Sequence, residues 1–214
     1  MAIDDERPAA PSRTRLPRSA RRAQLLAAAQ AVFVESGYHA AGMDEIAEQA
    51  GVSKPVLYQH FPGKRELYLA LLDKADEAIV AEVLSGMDVS RDNKERVVAT
   101  ISAYFAFVAR EGAAYRLVFE SDLVNDPQVR SRIDAVQEHC AQAVAAVIRT
   151  DTDCSQAQAL LLATGVVGMA QIAARQWLSS GEQMPQEEAV RLVAQLAWRG
   201  MRGLPRTGSD PAAN

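Results

Sequence analysis

The sequence predicts an all-α protein of about nine helices, and two observations support this fold class. Apolar residues recur at the three- and four-residue spacing of a helix face almost throughout the chain beyond Pro17. The first such stripe consists of Leu25, Leu26, Ala29, Val32 and Phe33. No segment shows the alternation of apolar and polar residues that predicts a half-buried strand.

Glycine and proline residues divide the N-terminal half into four predicted helices. The helices are expected over residues 18–36, 43–50, 54–60 and 64–84. The breaks between and after them fall at Gly37, Gly51, Pro62-Gly63 and the Leu-Ser-Gly run of residues 84–86. We expect Gly37 to end the first helix in a left-handed conformation and Ser53 to be the N-cap of the third.

The same punctuation divides the C-terminal half into five predicted helices. They are expected around the stripe that begins at Val97, over residues 113–123, from Pro127 to Ile148, through the uncharged stretch to Leu178, and from Pro185 onward. The last twelve residues, GLPRTGSDPAAN, read as a disordered tail over residues 203–214.

Charge is distributed unevenly and predicts a basic N-terminal arm. The chain has a formal net charge of −4, but residues 1–66 hold nine Lys/Arg against eight Asp/Glu, whereas residues 67–214 hold fourteen against nineteen. Arginines are concentrated at Arg7, Arg13, Arg15, Arg18, Arg21 and Arg22. Prolines in residues 1–17 oppose helix formation, so we expect a disordered arm that contacts a polyanion, a solvated tail being the alternative.

Composition and motifs argue against several classes of protein. Hydrophobic residues make up 49% of the chain and charged residues 23%, the balance of a soluble globular protein, and the polar N-terminus carries no visible signal peptide. A cytoplasmic location is therefore expected. Cys140 and Cys154 lack the paired spacing of a zinc site. We assign no catalytic residue, metal ligand or cofactor, and expect a protein that is not an enzyme.

The uncharged stretch from Cys154 to Ala174 is long enough to span a bilayer, but its composition is wrong for lipid. It contains Gln156, Gln158 and Gln171, whose amides would need partners that lipid cannot provide. We therefore predict a helix that is buried inside protein on most faces, and no membrane association.

A helix-turn-helix pattern lies within residues 37–69, GYHAAGMDEIAEQAGVSKPVLYQHFPGKRELYL. Two short helices are joined by a tight glycine turn, and Ile46, Val52 and Leu57 are spaced to meet in a small core. Ala47 is small enough for the two helices to cross closely. In this motif the second helix enters the major groove of DNA, and its N-terminus offers N–H groups and a positive dipole end to a phosphate.

The same segment resembles the DNA-binding domain of the TetR family of bacterial transcriptional regulators. The positions that match the family signature are Gly37-Tyr38, Ile46-Ala47, Ala50-Gly51-Val52-Ser53, Leu57-Tyr58, His60-Phe61, Lys64 and Leu67. The resemblance implies a DNA-binding domain of three helices over residues 18–63. It also implies an all-helical domain for a ligand and for dimerisation over residues 64–202.

Seven residues are candidates for contact with double-stranded DNA. Those for base edges and the groove are Ser53, Lys54 and Gln59, and those for the phosphate backbone are Tyr58, His60 and Lys64. Pro55 either touches a thymine methyl group or only stiffens the first turn of the recognition helix.

One departure from the family pattern lies at Ala41-Gly42, where members of the family commonly carry two hydroxyl residues. Gly42 can cap the next helix, and Glu45 is placed for half of a capping box, but a phosphate contact is lost. We expect the basic arm to compensate for this loss.

A closer resemblance concerns an actinobacterial subgroup of the family that regulates fatty-acid synthesis and responds to long-chain acyl-CoA. The matching runs are GYHAAGMDEIA, GVSKPVLYQHF, YRLVFESDLV and VVGM. Candidate residues for a hydrophobic ligand tunnel are Tyr104, Phe105, Val108, Tyr115, Phe119 and Leu123, with Arg116 or Arg175 for a CoA phosphate. Plain core packing and surface salt bridges are the structural alternatives. The alternative function is repression of an efflux or catabolic operon in response to another hydrophobic ligand.

The last two helices are predicted to form a homodimer. Gly165 and Gly168 give one helix a smooth face, and Leu192 and Leu196 supply apolar area on the other. Twofold symmetry would then require a near-palindromic operator whose half-sites are about 34–36 Å apart, or a multiple of that. Packing within one chain is the alternative. A small all-α enzyme and an acyl carrier without DNA activity are the rival classes. The sequence offers no catalytic constellation for the first, and the recognition motif argues against the second.

Overall fold

The computed structural model describes residues 16–111, 122–181 and 183–201, which form eight α-helices. They are α1 (Arg18–Ala40), α2 (Met43–Gln49), α3 (Lys54–His60), α4 (Lys64–Asp88), α5 (Asn93–Arg110), α6 (Pro127–Asp151), α7 (Gln156–Ser179) and α8 (Gln186–Met201). A 3-10 turn, Asp122–Asn125, precedes α6. The all-α prediction is confirmed. The predicted helix over residues 113–123 lies mostly outside the described residues, as do residues 1–15 of the basic arm and the tail.

Two large apolar cores organise the described residues. The N-terminal core joins α1, α2, α3 and the first half of α4, and it also takes in Val129 from the start of α6. The C-terminal core joins the second half of α4 to the remaining helices. Because α4 contributes Leu72 to one core and Ile79 to the other, a single rigid helix connects them.

The helix boundaries follow local signals at most ends. Gly51 and Gly181 adopt the positive φ values of 63° and 72° that favour glycine, and both lie directly beyond a helix. Asp126 caps α6 by accepting hydrogen bonds from the backbone N–H groups of Gln128 and Val129. Gly37 interrupts α1 with a positive φ of 75°, but its ψ of 162° is not the left-handed helical conformation that was predicted, and one more helical turn follows it.

The prediction that α4 ends near Gly86 is wrong, because this glycine serves close helix packing. A Cβ atom at Gly86 would lie 2.5 Å from the Thr100 Cα atom of α5. The missing side chain lets the two helices approach closely, and α4 continues to Asp88.

The prediction that the uncharged helix is buried on most faces is also wrong for the single chain. α7 is long and apolar enough to cross a membrane by length and composition, but only 28% of its most apolar window is buried. One face, including Ala159, Ala163 and Ala174, packs inside the protein. Another leaves Leu161 74% exposed and Ile172 62% exposed.

Candidate nucleic-acid interface and ligand cavity

Helices α2 and α3 form the predicted helix-turn-helix. Ile46 and Leu57 are fully buried and Ala47 nearly so, while Val52 packs against them from a partly buried position. The backbone N–H of Val52 donates to the carbonyl of Ala47 at 3.0 Å, which closes the turn around Gly51. The small core predicted for this motif is therefore confirmed.

The outer face of α3 carries most of the predicted DNA contacts. Five of the seven candidates have exposed side chains, namely Ser53, Lys54, Pro55, Tyr58 and Gln59. Leu57, on the opposite face, anchors the helix in the core. Ser53 occupies the N-cap position, but its hydroxyl makes no capping hydrogen bond, so the hydroxyl is available to a phosphate. In the first turn, Pro55 has no N–H group, and the N–H of Val56 donates to the Ser53 carbonyl at 2.9 Å.

Lys54 has an acidic partner that the sequence reasoning missed. Its ammonium group lies 2.7 Å from a carboxylate oxygen of Asp44 on α2, and both side chains are well exposed. The hydrogen bond to Asp44 raises the pKa of Lys54 above its ordinary value. Asp44 thus places a negative charge beside the recognition helix and engages one of its cations.

The ammonium group of Lys64 contacts other groups of the same chain. It donates to the carbonyl oxygens of His39 at 3.1 Å and Ala41 at 2.9 Å, and it lies 4.7 Å from the Tyr38 ring centroid. The lysine therefore stabilises the end of α1 against the start of α4. An ammonium group has three hydrogen atoms to donate, so one remains for the DNA contact predicted for Lys64.

Three arginines at the start of α1 extend the basic surface towards the end of α3. Arg22 lies over the Phe61 ring, 4.3 Å from its centroid. Partial burial, followed by the charges of Arg18, Arg22 and Arg21, lowers the pKa of His60 below 6.5. These arginines were visible in the sequence as part of the basic run, but only the fold brings them next to the recognition helix.

The start of α2 has the half capping box that was predicted for the Ala41-Gly42 departure from the family pattern. The Glu45 carboxylate accepts a hydrogen bond from the backbone N–H of Gly42 at 3.4 Å, which is half of a capping box. Gly42 has no side chain to complete it. Ala41 is buried and joins the N-terminal core.

The predicted ligand residues that the structure describes do not gather around one opening. Tyr104, Phe105 and Val108 are buried in the C-terminal core and line neither of the two concave regions described below. Leu123 packs against the N-terminal core. Tyr115, Arg116 and Phe119 lie outside the described residues, and Arg175 is exposed on α7.

A cavity of about 330 Å³ lies instead among α4, α5, α6, α7 and α8. Its apolar wall includes Met87, Val97, Ile101, Val147, Val166 and Trp198. A polar edge is formed by Arg96 and Asp151, whose charged groups are 2.9 Å apart. This volume is at the lower end of the range for small-molecule sites, and the mixture of apolar wall and few polar groups is typical of them.

The predicted dimer residues lie at or near the surface of the chain. Gly165 is exposed and Gly168 partly so, while Leu192 is 45% exposed and Leu196 is 64% exposed. Together with the exposed Leu161 of α7, these residues leave both helices with uncovered apolar area.

An exposed recognition helix, flanked by arginines and joined by α4 to a helical domain with a cavity, defines a DNA-binding regulator. The family model of bacterial regulatory proteins of the tetR family matches residues 25–71, and that of the tetracyclin repressor-like C-terminal domain matches residues 93–200. The chain belongs to the TetR family, whose members are transcriptional regulators.

Individual relatives agree with this assignment. The chain is 44% identical over 207 residues to the HTH-type transcriptional activator FasR of Mycolicibacterium smegmatis, covering 96% of this chain and 94% of that protein. A TetR-like transcriptional regulator from Rhodococcus sp. RHA1 superposes with a TM-score of 0.68 at 26% identity, over 88% of this chain and 100% of the other. FadR from Bacillus subtilis in complex with stearoyl-CoA shares the fold, with a TM-score of 0.65 at 18% identity over 82% and 96% of the two chains.

Proposed function

We propose that this regulator is a cytoplasmic homodimer whose affinity for a near-palindromic operator is set by a long-chain acyl-CoA, and that it controls genes of fatty-acid synthesis. The observation that carries the ligand part is the apolar cavity with a polar edge in the C-terminal domain. The acyl-CoA itself is suggested by the runs that resemble the acyl-CoA-responsive subgroup, and the similarity to a transcriptional activator agrees with control of genes.

The DNA part of the proposal rests on α3. Base edges would be contacted by Ser53, Lys54 and Gln59 from the exposed face of this helix. Tyr58 and His60, with the arginines at the start of α1, would contact the phosphates on either side. A dimer through α7 and α8 would place two copies of α3 on successive turns of one face of the duplex.

Helix α4 is the element through which the ligand would act. It contributes Met87 to the cavity wall and Leu67 to the N-terminal core, so a shift at one end moves the other. A ligand that binds one separation of the recognition helices better changes operator affinity by that difference in affinity and no more.

Selection of duplexes from a random library by the wild-type protein tests the DNA part. We expect enrichment of a near-palindromic sequence, and at least tenfold weaker binding to it by the Gln59→Ala variant. Lys74→Ala, an exposed residue of α4 away from α3, is the matched control and should bind as the wild type does. Base recognition by α3 would be contradicted if the Gln59→Ala variant bound the selected duplex and random duplexes with the same affinities as the wild type does.

A further inference from the structure

A second concave region, a groove of about 620 Å³, lies between α5 and α8 beside the ligand cavity. Helix α5 borders both regions with neighbouring faces. Val97 and Ile101 line the cavity, and Val98 and Ser102 line the groove. Because both spaces fall in the size range of small-molecule sites, each is large enough to hold part of one ligand.

Trp198 of α8 lines the groove and the cavity alike, so its indole ring forms part of the boundary between them. The residue is only partly buried. The two regions therefore meet at this residue.

The groove is positively charged, whereas the edge of the cavity is neutral. Lys94, Arg191 and Arg199 line the groove against a single acid, Glu187. Within the described residues, Lys94 and Arg199 take part in no ion pair. Arg191 has only an exposed pair with Glu188 at 3.6 Å, a type of contact that contributes little.

The cation at the cavity edge is already engaged. Arg96 donates to Asp151 at 2.9 Å and to the backbone carbonyl of Ser90 at 2.7 Å. Its charge is balanced by a carboxylate that would repel a phosphate. Charge complementarity therefore favours the groove over the cavity edge as the place for an anionic group.

We infer that the α5–α8 groove binds the phosphorylated head of a long-chain acyl thioester whose hydrocarbon chain occupies the cavity, with Trp198 at the passage between them. The assignment rests on the acyl-CoA ligand proposed above. Lys94 and Arg191 contact the phosphates in this arrangement.

Calorimetric titration of the full chain with palmitoyl-CoA, palmitate and free CoA tests the assignment. The Lys94→Gln/Arg191→Gln variant should bind palmitoyl-CoA at least tenfold more weakly than the wild type, because charge-assisted contacts are lost. Its affinity for palmitate should be unchanged, since the cavity is intact. Lys74→Gln/Arg130→Gln removes two exposed cations that line neither the groove nor the cavity and should match the wild type for both ligands.

Three results would overturn the groove assignment. One is that the Lys94→Gln/Arg191→Gln variant binds palmitoyl-CoA as tightly as the wild type does. A second is that this variant loses as much affinity for palmitate as it loses for palmitoyl-CoA. The third is a loss confined to palmitoyl-CoA in Arg96→Gln, which would place the head at the cavity edge. If the wild type itself failed to bind palmitoyl-CoA, the proposed ligand would be rejected and the groove assignment with it.

Discussion

At the scale of single residues, the recognition helix is defined as much by its internal partners as by its free side chains. Asp44 holds Lys54 by an ion pair, and Lys64 is held by two carbonyl oxygens of the α1 end. Both lysines were predicted as DNA contacts, although only Lys64 is a position of the family signature. The sequence cannot show their partners, because Asp44 and Ala41 approach them only after α1, α2, α3 and α4 have packed together.

Removal of the Asp44 charge is expected to strengthen DNA binding. The Asp44→Asn variant frees Lys54 for contact with the duplex and removes a nearby repulsion of the phosphates, so affinity for duplex DNA should rise about threefold to tenfold at low salt. The slope of log affinity against log salt should become steeper by about one. Titration by fluorescence anisotropy at several salt concentrations measures both quantities.

The control for this variant is Glu48→Gln. Glu48 is an exposed acid on the same helix, and its carboxylate forms no ion pair with a described residue. The substitution changes the net charge equally but releases no lysine. Equal effects of the two variants would show that the Asp44–Lys54 pair has no specific role.

DNA affinity is expected to depend on pH through His60. Burial and the neighbouring arginines lower the pKa of His60 below its ordinary value, which disfavours the protonated imidazole in the free protein. Phosphates of bound DNA favour the protonated form, so binding takes up a proton and should become tighter as the pH falls from 7.5 to 5.5. The slope should be flatter in His60→Gln, and an identical slope in both proteins would assign the dependence to other groups.

At the scale of elements, local sequence signals predicted helices well where the ends are set locally. Pro127 and Asp126 begin α6 as expected, and Gly51 forms the turn of the motif. Gly86 misled the prediction, because a glycine that ends a helix and a glycine that permits close packing look alike in sequence. Only the position of Thr100 on the neighbouring helix distinguishes the two cases.

Substitution of Gly86 tests the close approach of α4 and α5. In Gly86→Ala the new methyl group would meet the backbone of Thr100, so the helices must separate. We expect a loss of about 1–3 kcal/mol in the free energy of unfolding, measured by urea denaturation. Gly200→Ala is the control, because no atom lies within 4 Å of its added carbon and alanine favours helix by about 1 kcal/mol. Similar stability changes in both variants would contradict the packing role.

Long-range pairs between elements were beyond prediction from one sequence. Arg65 at the start of α4 forms an ion pair of 2.9 Å with Asp126, which also caps α6. The guanidinium group holds the pKa of the Asp126 carboxyl below its ordinary value, with the backbone N–H groups of Val129 and Gln128 adding to the effect. The ion pair therefore contributes its full share to the free energy of unfolding at pH values above the ordinary carboxyl pKa. This contribution is lost as the pH falls through the lowered pKa of Asp126.

At the scale of the whole molecule, the overall plan was predictable and the ligand site was not. The helical periodicity and the motif at residues 37–69 predicted the fold and the regulator. Residues such as Phe105 were proposed for a tunnel, yet the structure buries them in the core, whereas Trp198 lines both concave regions. Composition cannot separate a cavity wall from a packed core, because both consist of the same apolar residues.

The exposed apolar area of α7 and α8 predicts a dimer, and charged residues introduced into this area should dissociate it. Glutamates at Leu161 and Leu196, which are 74% and 64% exposed, would be buried in the interface, so the Leu161→Glu/Leu196→Glu variant should sediment as a monomer. Its operator affinity should fall at least tenfold because the two recognition helices are no longer joined. Leu84→Glu, at an exposed leucine of α4, is the control and should remain dimeric. A dimeric double variant would place the interface elsewhere.

The central claim, a ligand-controlled DNA-binding regulator, is tested most directly by one titration. Fluorescence anisotropy would follow the wild-type protein binding to its selected operator duplex, with and without saturating palmitoyl-CoA, and with palmitate and free CoA as controls. The proposal predicts an operator affinity that changes at least fivefold with palmitoyl-CoA and with neither control. Operator affinity that is the same in all four conditions would contradict acyl-CoA control.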